Sequence, residues 1–143
     1  MTYHDLIQLY FDRSNALQWY WTIYVIIVGG LLAFSSLRQR PDLATAILVS
    51  VLYLIFAYKN LGAIEDVTKE RLAIWMRIGE YAIPDDAVDV KGLRERLEPF
   101  LVPSAWEDSR NTHIAGDILT IAACWAMEWR RRRWQPPPGT PAA

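Results

Sequence analysis

Five polar side chains recur along one apolar segment near the C-terminus, and two of them have the spacing of metal ligands. They are His113, Asp117, Thr120, Cys124 and Glu128. At about 100° per residue they lie within about 80° of one another on a helix, so they form a polar seam. His113 and Asp117 are four residues apart, a spacing that can share a metal ion. One pair on one helix is insufficient for a site, so the sequence predicts no metal and no cofactor.

The polar seam has two interpretations that differ in whether water reaches Asp117. In the favoured one, its residues form hydrogen bonds between helices, with Asp117 protonated or paired and Glu128 beside the arginines that follow it. In the other, the seam lines a path for protons or ions, and Asp117 changes charge as they pass. Cys124 is a poor nucleophile in either case, because an apolar helix restricts access to its thiol.

Catalytic motifs are lacking elsewhere in the sequence. It contains no Gly-rich phosphate loop, no Ser/His/Asp order and no paired-metal motif. Asp85, Asp86 and Asp89 follow Pro84, and this setting suits a turn and a helix cap better than a calcium site. The sequence therefore predicts a protein that is not an enzyme.

Two apolar segments have the length of membrane crossings. Residues 16–37 hold no charge and begin with clustered aromatic residues, as a transmembrane helix does at its interface. Residues 43–64 form a second crossing in which Lys59 reaches the interface. The connection RQRPD is short, so the two crossings form an antiparallel hairpin. The predicted interface anchors are Trp19, Trp21, Trp129, Arg130, Arg131, Arg132 and Arg133.

The remaining segments are an extramembrane region, a possible third crossing and a tail. Residues 65–110 carry charges at helical spacing and are predicted to form extramembrane helices, the first continuing from the second crossing. A capping box at Ser104 and Glu107 is expected to start the last helix. Residues 113–129 are predicted to cross the membrane, with a helix lying on its surface as the alternative. The tail, residues 135–143, is predicted to be disordered.

Small residues follow one side of each predicted crossing and indicate helix packing. They are Thr22, Gly29, Ala33 and Ser36 on the first crossing and Ala46, Ser50 and Ala57 on the second. Small side chains let helices approach closely in lipid. Packing of the hairpin on itself is the favoured use, and an oligomer interface is the alternative. The predicted fold is an all-α integral membrane bundle in a single domain.

Composition excludes several other classes of protein. The 143 residues carry 15 Lys and Arg against 16 Asp and Glu, so no overall field favours nucleic acid. The single cysteine excludes an intrachain disulfide. A cleaved signal peptide is not expected, because the first 16 residues hold one arginine and two aspartates.

The predicted function is a non-enzymatic subunit or self-assembling scaffold that acts through helix packing. Its predicted partners are the lipid bilayer and either further copies of the chain or a larger membrane complex. The alternative is an oligomeric channel or pore-forming effector lined by the polar seam. The flanking charges favour an N-terminus outside and a C-terminus in the cytoplasm.

Overall fold

The residues that the structure describes form helices and the short segments that connect them, without a strand. The computed structural model describes residues 1–84 and 88–134. They form α1 (Tyr3–Leu37), α2 (Leu43–Glu80), α3 (Val88–Leu97) and α4 (Trp106–Arg133), with a 3-10 turn at Glu98–Phe100. The predicted all-helical class is confirmed. The predicted tail, residues 135–143, and the predicted turn at Asp85 and Asp86 lie outside the described residues.

Local side-chain chemistry fixes where the two long helices begin. At the start of α1, the Thr2 amide donates to Asp5 Oδ2 at 2.7 Å and the Asp5 amide donates to Thr2 Oγ1 at 3.2 Å. Asp42 caps α2 by accepting the Thr45 amide at 3.3 Å. The capping box predicted at Ser104 is wrong, because α4 has Ala105 at its N-cap without a side-chain hydrogen bond.

Helices α1 and α2 form a hairpin whose two arms are both long and apolar enough to cross a membrane. Their 35 and 38 residues correspond to about 52 and 57 Å at about 1.5 Å per residue. A hydrocarbon core is about 30 Å thick, so each helix is more than about 20 Å longer than one crossing requires. The charged residues of both helices lie at the end formed by the start of α1 and the end of α2.

That end of the hairpin forms a small head with its own hydrophobic core. The core consists of Tyr3, Leu6, Ile7, Tyr10, Ile78 and Leu101. The Tyr10 hydroxyl donates to the Leu101 carbonyl, and Arg71 Nη2 donates to the Tyr10 hydroxyl at 2.9 Å. These bonds tie the segment after α3 to both arms. The predicted continuation of the second helix into an amphipathic one is confirmed, with Ile64, Val67 and Ile78 buried.

Helix α4 packs along the hairpin, parallel to α1 and antiparallel to α2. His113, near its start, lies beside Tyr24 and Asn60, whereas Glu128, near its end, lies beside the turn that joins α1 to α2. The predicted third crossing lies within this helix. Among the described helices, however, α1 and α2 are apolar enough to cross a membrane by composition and α4 is not.

The small residues on the first crossing do not pack the hairpin. Thr22, Gly29, Ala33 and Ser36 are all exposed. Among the described residues, nothing outside the local helix lies within 4 Å of a Cβ built at Gly29. The inner face of α1 instead presents Leu17, Tyr24 and Ser35, all of which are buried. On α2, Ala57 is buried and Ala46 and Ser50 are half-buried, so this part of the prediction is consistent with the observed packing.

Candidate functional site

The carboxylate of Asp117 joins all three long helices. Its Oδ1 accepts hydrogen bonds from the Tyr53 hydroxyl of α2 at 2.7 Å and from the Tyr24 hydroxyl of α1 at 3.1 Å. Its Oδ2 lies 2.9 Å from Nδ1 of His113, one turn earlier in α4. Both oxygens therefore have partners, and the side chain is 17 % exposed.

His113 is fully buried and held on two sides by hydrogen bonds. Its Nε2 lies 3.2 Å from Nδ2 of Asn60, on α2. The neutral tautomer with its proton on Nδ1 satisfies both contacts, because it donates to Asp117 and accepts from the Asn60 amide. The rings of Tyr24 and Trp21 cover the imidazole, with centroids 4.2 and 5.8 Å away. The network thus combines two polar contacts with an aromatic wall.

Gly116 leaves space for the side chain of Tyr24. A Cβ built at Gly116 would collide with the hydroxyl of Tyr24. The absence of a side chain therefore lets the tyrosine reach both the Asp117 carboxylate and the His113 carbonyl, the latter at 3.3 Å. Here a glycine is required by close approach and not by backbone conformation.

A second buried carboxylate, Glu128, fixes the opposite end of α4. The Asp42 amide donates to its Oε1 at 2.9 Å, and Arg131 and Arg132 contact it at 3.1 and 3.4 Å. Arg38 lies 3.9 Å away. Glu128 is 2 % exposed, so these donors offset the cost of burying its charge. They also anchor α4 to the turn between α1 and α2.

The pKa of Asp42, in the same turn, is lowered below its ordinary value. Hydrogen bonds from the Thr45 hydroxyl and the Thr45 amide are the main cause, because they stabilise the charged carboxylate. The Asp42 side chain caps α2, and the Asp42 backbone amide donates a hydrogen bond to Glu128.

Weaker polar contacts connect the two ends of the seam. Ser35 Oγ donates to Cys124 Sγ at 3.4 Å, and Trp125 Nε1 donates to Ser50 Oγ at 3.2 Å. Thr120 is buried on the same side, and its hydroxyl donates to the Gly116 carbonyl of its own helix at 2.7 Å. Every predicted seam residue thus faces the hairpin: His113, Asp117 and Cys124 bond to other helices, and Glu128 bonds to the turn between α1 and α2.

Among the described residues, no group of three His, Cys, Asp or Glu side chains could hold a metal ion. Both ring nitrogens of His113 already have protein partners. The network of Asp117 can align the three long helices and hold this carboxylate in a largely buried position.

The aromatic residues predicted as interface anchors divide into two groups. Trp19 is 62 % and Trp129 57 % exposed, and the guanidinium of Arg133 stacks 3.6 Å from the centroid of the Trp129 ring. Trp21 instead turns inward against His113. Trp21 lies on the same face of α1 as Tyr24 and packs against it, and its role as an interface anchor stays a prediction.

Three members of the network are missing from the candidate site predicted from the sequence. They are Tyr24 on α1 and Tyr53 and Asn60 on α2. Tyr53, Ala57 and Asn60 are spaced four and three residues apart, so they share one face of α2. Polar groups recurring on one face of an apolar helix were the available signal.

No protein-family model matches this sequence, and comparisons with curated proteins and with solved structures found no similar protein. The described residues form an all-helical bundle in which a polar network joins two long apolar helices to a third.

Proposed function

We propose that this chain is an integral membrane protein with three crossings, which acts as a scaffold or subunit through helix packing. The observation that carries the proposal is the contact of Asp117 with side chains of α1, α2 and its own helix. A network of this kind sets the register of three helices, which is what a rigid membrane scaffold requires.

The third crossing is supported by the match between α4 and the hairpin. Tyr24 lies eight residues after Ala16, the predicted start of the first crossing. It is therefore about 12 Å inside the bilayer at about 1.5 Å per residue. Asp117 and His113 lie at the same level, and Glu128 lies beside the hairpin turn at the far boundary. Because their polar groups face the hairpin, α4 can present Ile114, Ile118 and Leu119 to lipid, and all three are exposed.

The head is the part of the protein that would meet a partner outside the bilayer. It has its own core, and it leaves several large apolar side chains uncovered. Phe100 is 85 % and Val102 63 % exposed, close together after α3. Exposed apolar residues on a small rigid unit are typical of a contact region. We assign the contact with another protein to this region, within residues 65–110.

Conduction is the less favoured function for the same site. A carboxylate that lines a water path needs oxygen atoms facing water, whereas Asp117 uses Oδ1 for two tyrosines and Oδ2 for a histidine. These contacts support the interpretation of the polar seam as interhelical hydrogen bonding.

Cysteine accessibility tests the three-crossing topology. Single cysteines at Arg40, Gly92 and Thr140, in a Cys124→Ala background, are labelled with an impermeant maleimide in intact cells and after lysis. We expect positions 40 and 140 to share the cytoplasmic side and position 92 to label from outside. If positions 92 and 140 label from the same side, α4 does not cross and the proposal is wrong.

Native mass spectrometry of the detergent-extracted complex distinguishes the scaffold or subunit from the pore. A second protein in stoichiometric amount supports a subunit, and a homo-oligomer with no ion flux in liposomes supports a scaffold. A homo-oligomer that carries a proton or cation flux, lost in Asp117→Asn, would replace the proposal with the pore.

A further inference from the structure

An apolar groove runs between α1 and α2 on the outside of the bundle. It is lined by Ile27, Gly30 and Phe34 from α1 and by Val49, Leu52 and Tyr53 from α2. Gly30 leaves a gap in its wall, because nothing outside the local helix lies within 4 Å of a Cβ built there, among the described residues. In the proposed bilayer this groove lies at the depth of acyl chains.

The groove meets a polar pocket at the end of the bundle where the hairpin turns. This pocket shares Leu31, Phe34 and Val49 with the groove, and it adds Arg38, Arg131 and the Glu128 carboxylate that both arginines contact. The apolar groove thus ends beside two guanidinium groups. The combination matches the two parts of a phospholipid, whose acyl chain is apolar and whose phosphate is anionic.

The charge of this end also favours an anionic ligand. Residues 38–42 and 128–133 contain six arginines, Arg38, Arg40 and the four from Arg130 to Arg133. Two carboxylates, Asp42 and Glu128, oppose them, so the net charge is +4. Clusters of four to eight basic residues at a membrane boundary attract anionic lipids. Zwitterionic lipids lack the net charge that such a cluster selects.

We propose that one anionic glycerophospholipid binds here, with an acyl chain in the groove and its phosphate beside Arg38 and Arg131. This inference rests on the proposed membrane insertion. A second protein helix would also cover an apolar groove, but it would not account for the arginines at its end. With the arginine end in the cytoplasm, the lipid comes from the inner leaflet, where anionic lipids are enriched.

The test compares two neighbouring glycines. Delipidated protein is mixed with palmitoyl-oleoyl phosphatidylglycerol or with the matching phosphatidylcholine, and bound lipid is counted by native mass spectrometry. Gly30→Phe fills the groove. Gly29→Phe is the matched control, because Gly29 is equally open but does not line the groove. We expect the wild type and Gly29→Phe to retain one phosphatidylglycerol in preference to phosphatidylcholine, and Gly30→Phe to lose it.

Two arginines give a second comparison that does not alter the groove. Arg131 and Arg132 both contact Glu128, but Arg131 lines the pocket and Arg132 does not. Arg131→Gln should weaken phosphatidylglycerol binding about fivefold, since one basic residue near an anionic lipid is worth about 1 kcal/mol. Arg132→Gln should weaken it less.

Some outcomes would overturn the lipid site. The first is equal retention of the two lipids by the wild type. The others are equal losses of phosphatidylglycerol binding in the two glycine variants, or equal losses of it in the two arginine variants. Alkaline carbonate extraction separates this failure from that of the proposed function. Release of the protein from membranes would refute the membrane insertion, whereas an integral protein without lipid preference would refute the lipid site alone.

Discussion

Removing the Asp117 carboxylate is the sharpest test of the network. Asp117→Leu deletes the acceptor of the Tyr24 and Tyr53 hydroxyls and the partner of His113 Nδ1. Interhelical hydrogen bonds in membranes average about 0.6 kcal/mol and reach about 1.7 kcal/mol. The loss of these two interhelical contacts, together with the His113 contact within α4, therefore lowers the free energy of unfolding by about 2 kcal/mol.

Asp117→Asn should cost much less, because the amide can replace each contact. Its carbonyl oxygen accepts from the two tyrosines, and its NH2 group donates to Nδ1 of His113 once the imidazole proton moves to Nε2. Rotation of the Asn60 amide then presents its oxygen to Nε2. We expect a loss below about 1 kcal/mol, within the range of one interhelical hydrogen bond.

The assay is unfolding by sodium dodecyl sulfate in mixed micelles, followed by far-ultraviolet circular dichroism. Thr22→Val is the matched control, because the exposed Thr22 hydroxyl donates to the Gln18 carbonyl of its own helix and lies outside the network. A double-mutant cycle between Asp117→Leu and Tyr53→Phe should give a coupling of about 0.6 to 1.7 kcal/mol. Equal stability of the Leu and Asn variants, or a coupling near zero, would refute the structural role of the network.

Four further predictions use the same unfolding assay unless stated. Gly116→Ala should cost about 1 to 3 kcal/mol, because the added methyl group displaces the Tyr24 hydroxyl; wild-type stability would contradict that contact. Glu128→Leu should cost about 1.5 to 3 kcal/mol, because it removes a buried acceptor of charged and backbone donors, whereas an unchanged free energy would mean that α4 is not anchored there. Gly29→Leu should be neutral or stabilise by up to about 1 kcal/mol, since Gly29 is exposed in a helix; dissociation of an oligomer in size-exclusion chromatography would instead show that this face packs on a second copy. Asp42 has a folded pKa below its unfolded value, so its contribution is present above about pH 4 and is lost as pH falls through the folded pKa. Asp42→Asn should make stability less dependent on pH in that range, and an identical acid profile would show that this carboxylate contributes nothing.

The helices could be predicted from the sequence because their signals are local. Uncharged length predicts α1 and α2, and Pro41 with Asp42 predicts the turn between them. The polar face of α4 follows from angular spacing alone. Its buried residues, His113, Thr120 and Glu128, lie on the predicted side of the helix. Each of these inferences depends on residues within a few turns of one another.

The partners across the bundle could not be predicted in the same way. Tyr24 and Asp117 are 93 residues apart, and the contact depends on the register in which α4 docks. Small residues on α1 predicted close packing, but larger side chains occupy the inner face, where Tyr24 reaches across to α4. The rotation of α1 about its own axis decides which side is buried, and small residues along one side were not enough to predict that rotation.

The composition of α4 suggests an order of assembly. Helices α1 and α2 are apolar enough to insert independently, whereas α4 carries Asp117 and Glu128 and is less apolar. A charged residue at the centre of an isolated membrane helix costs about 2.5 to 3.5 kcal/mol even on insertion scales. Tyr24 and Tyr53 on the hairpin offer hydroxyl donors at the level of Asp117, and the Asp42 amide offers a donor at the level of Glu128. In the proposed three-crossing topology, the hairpin would therefore supply the polar surface that makes insertion of α4 favourable, and the two carboxylates would fix its depth and register as it docks.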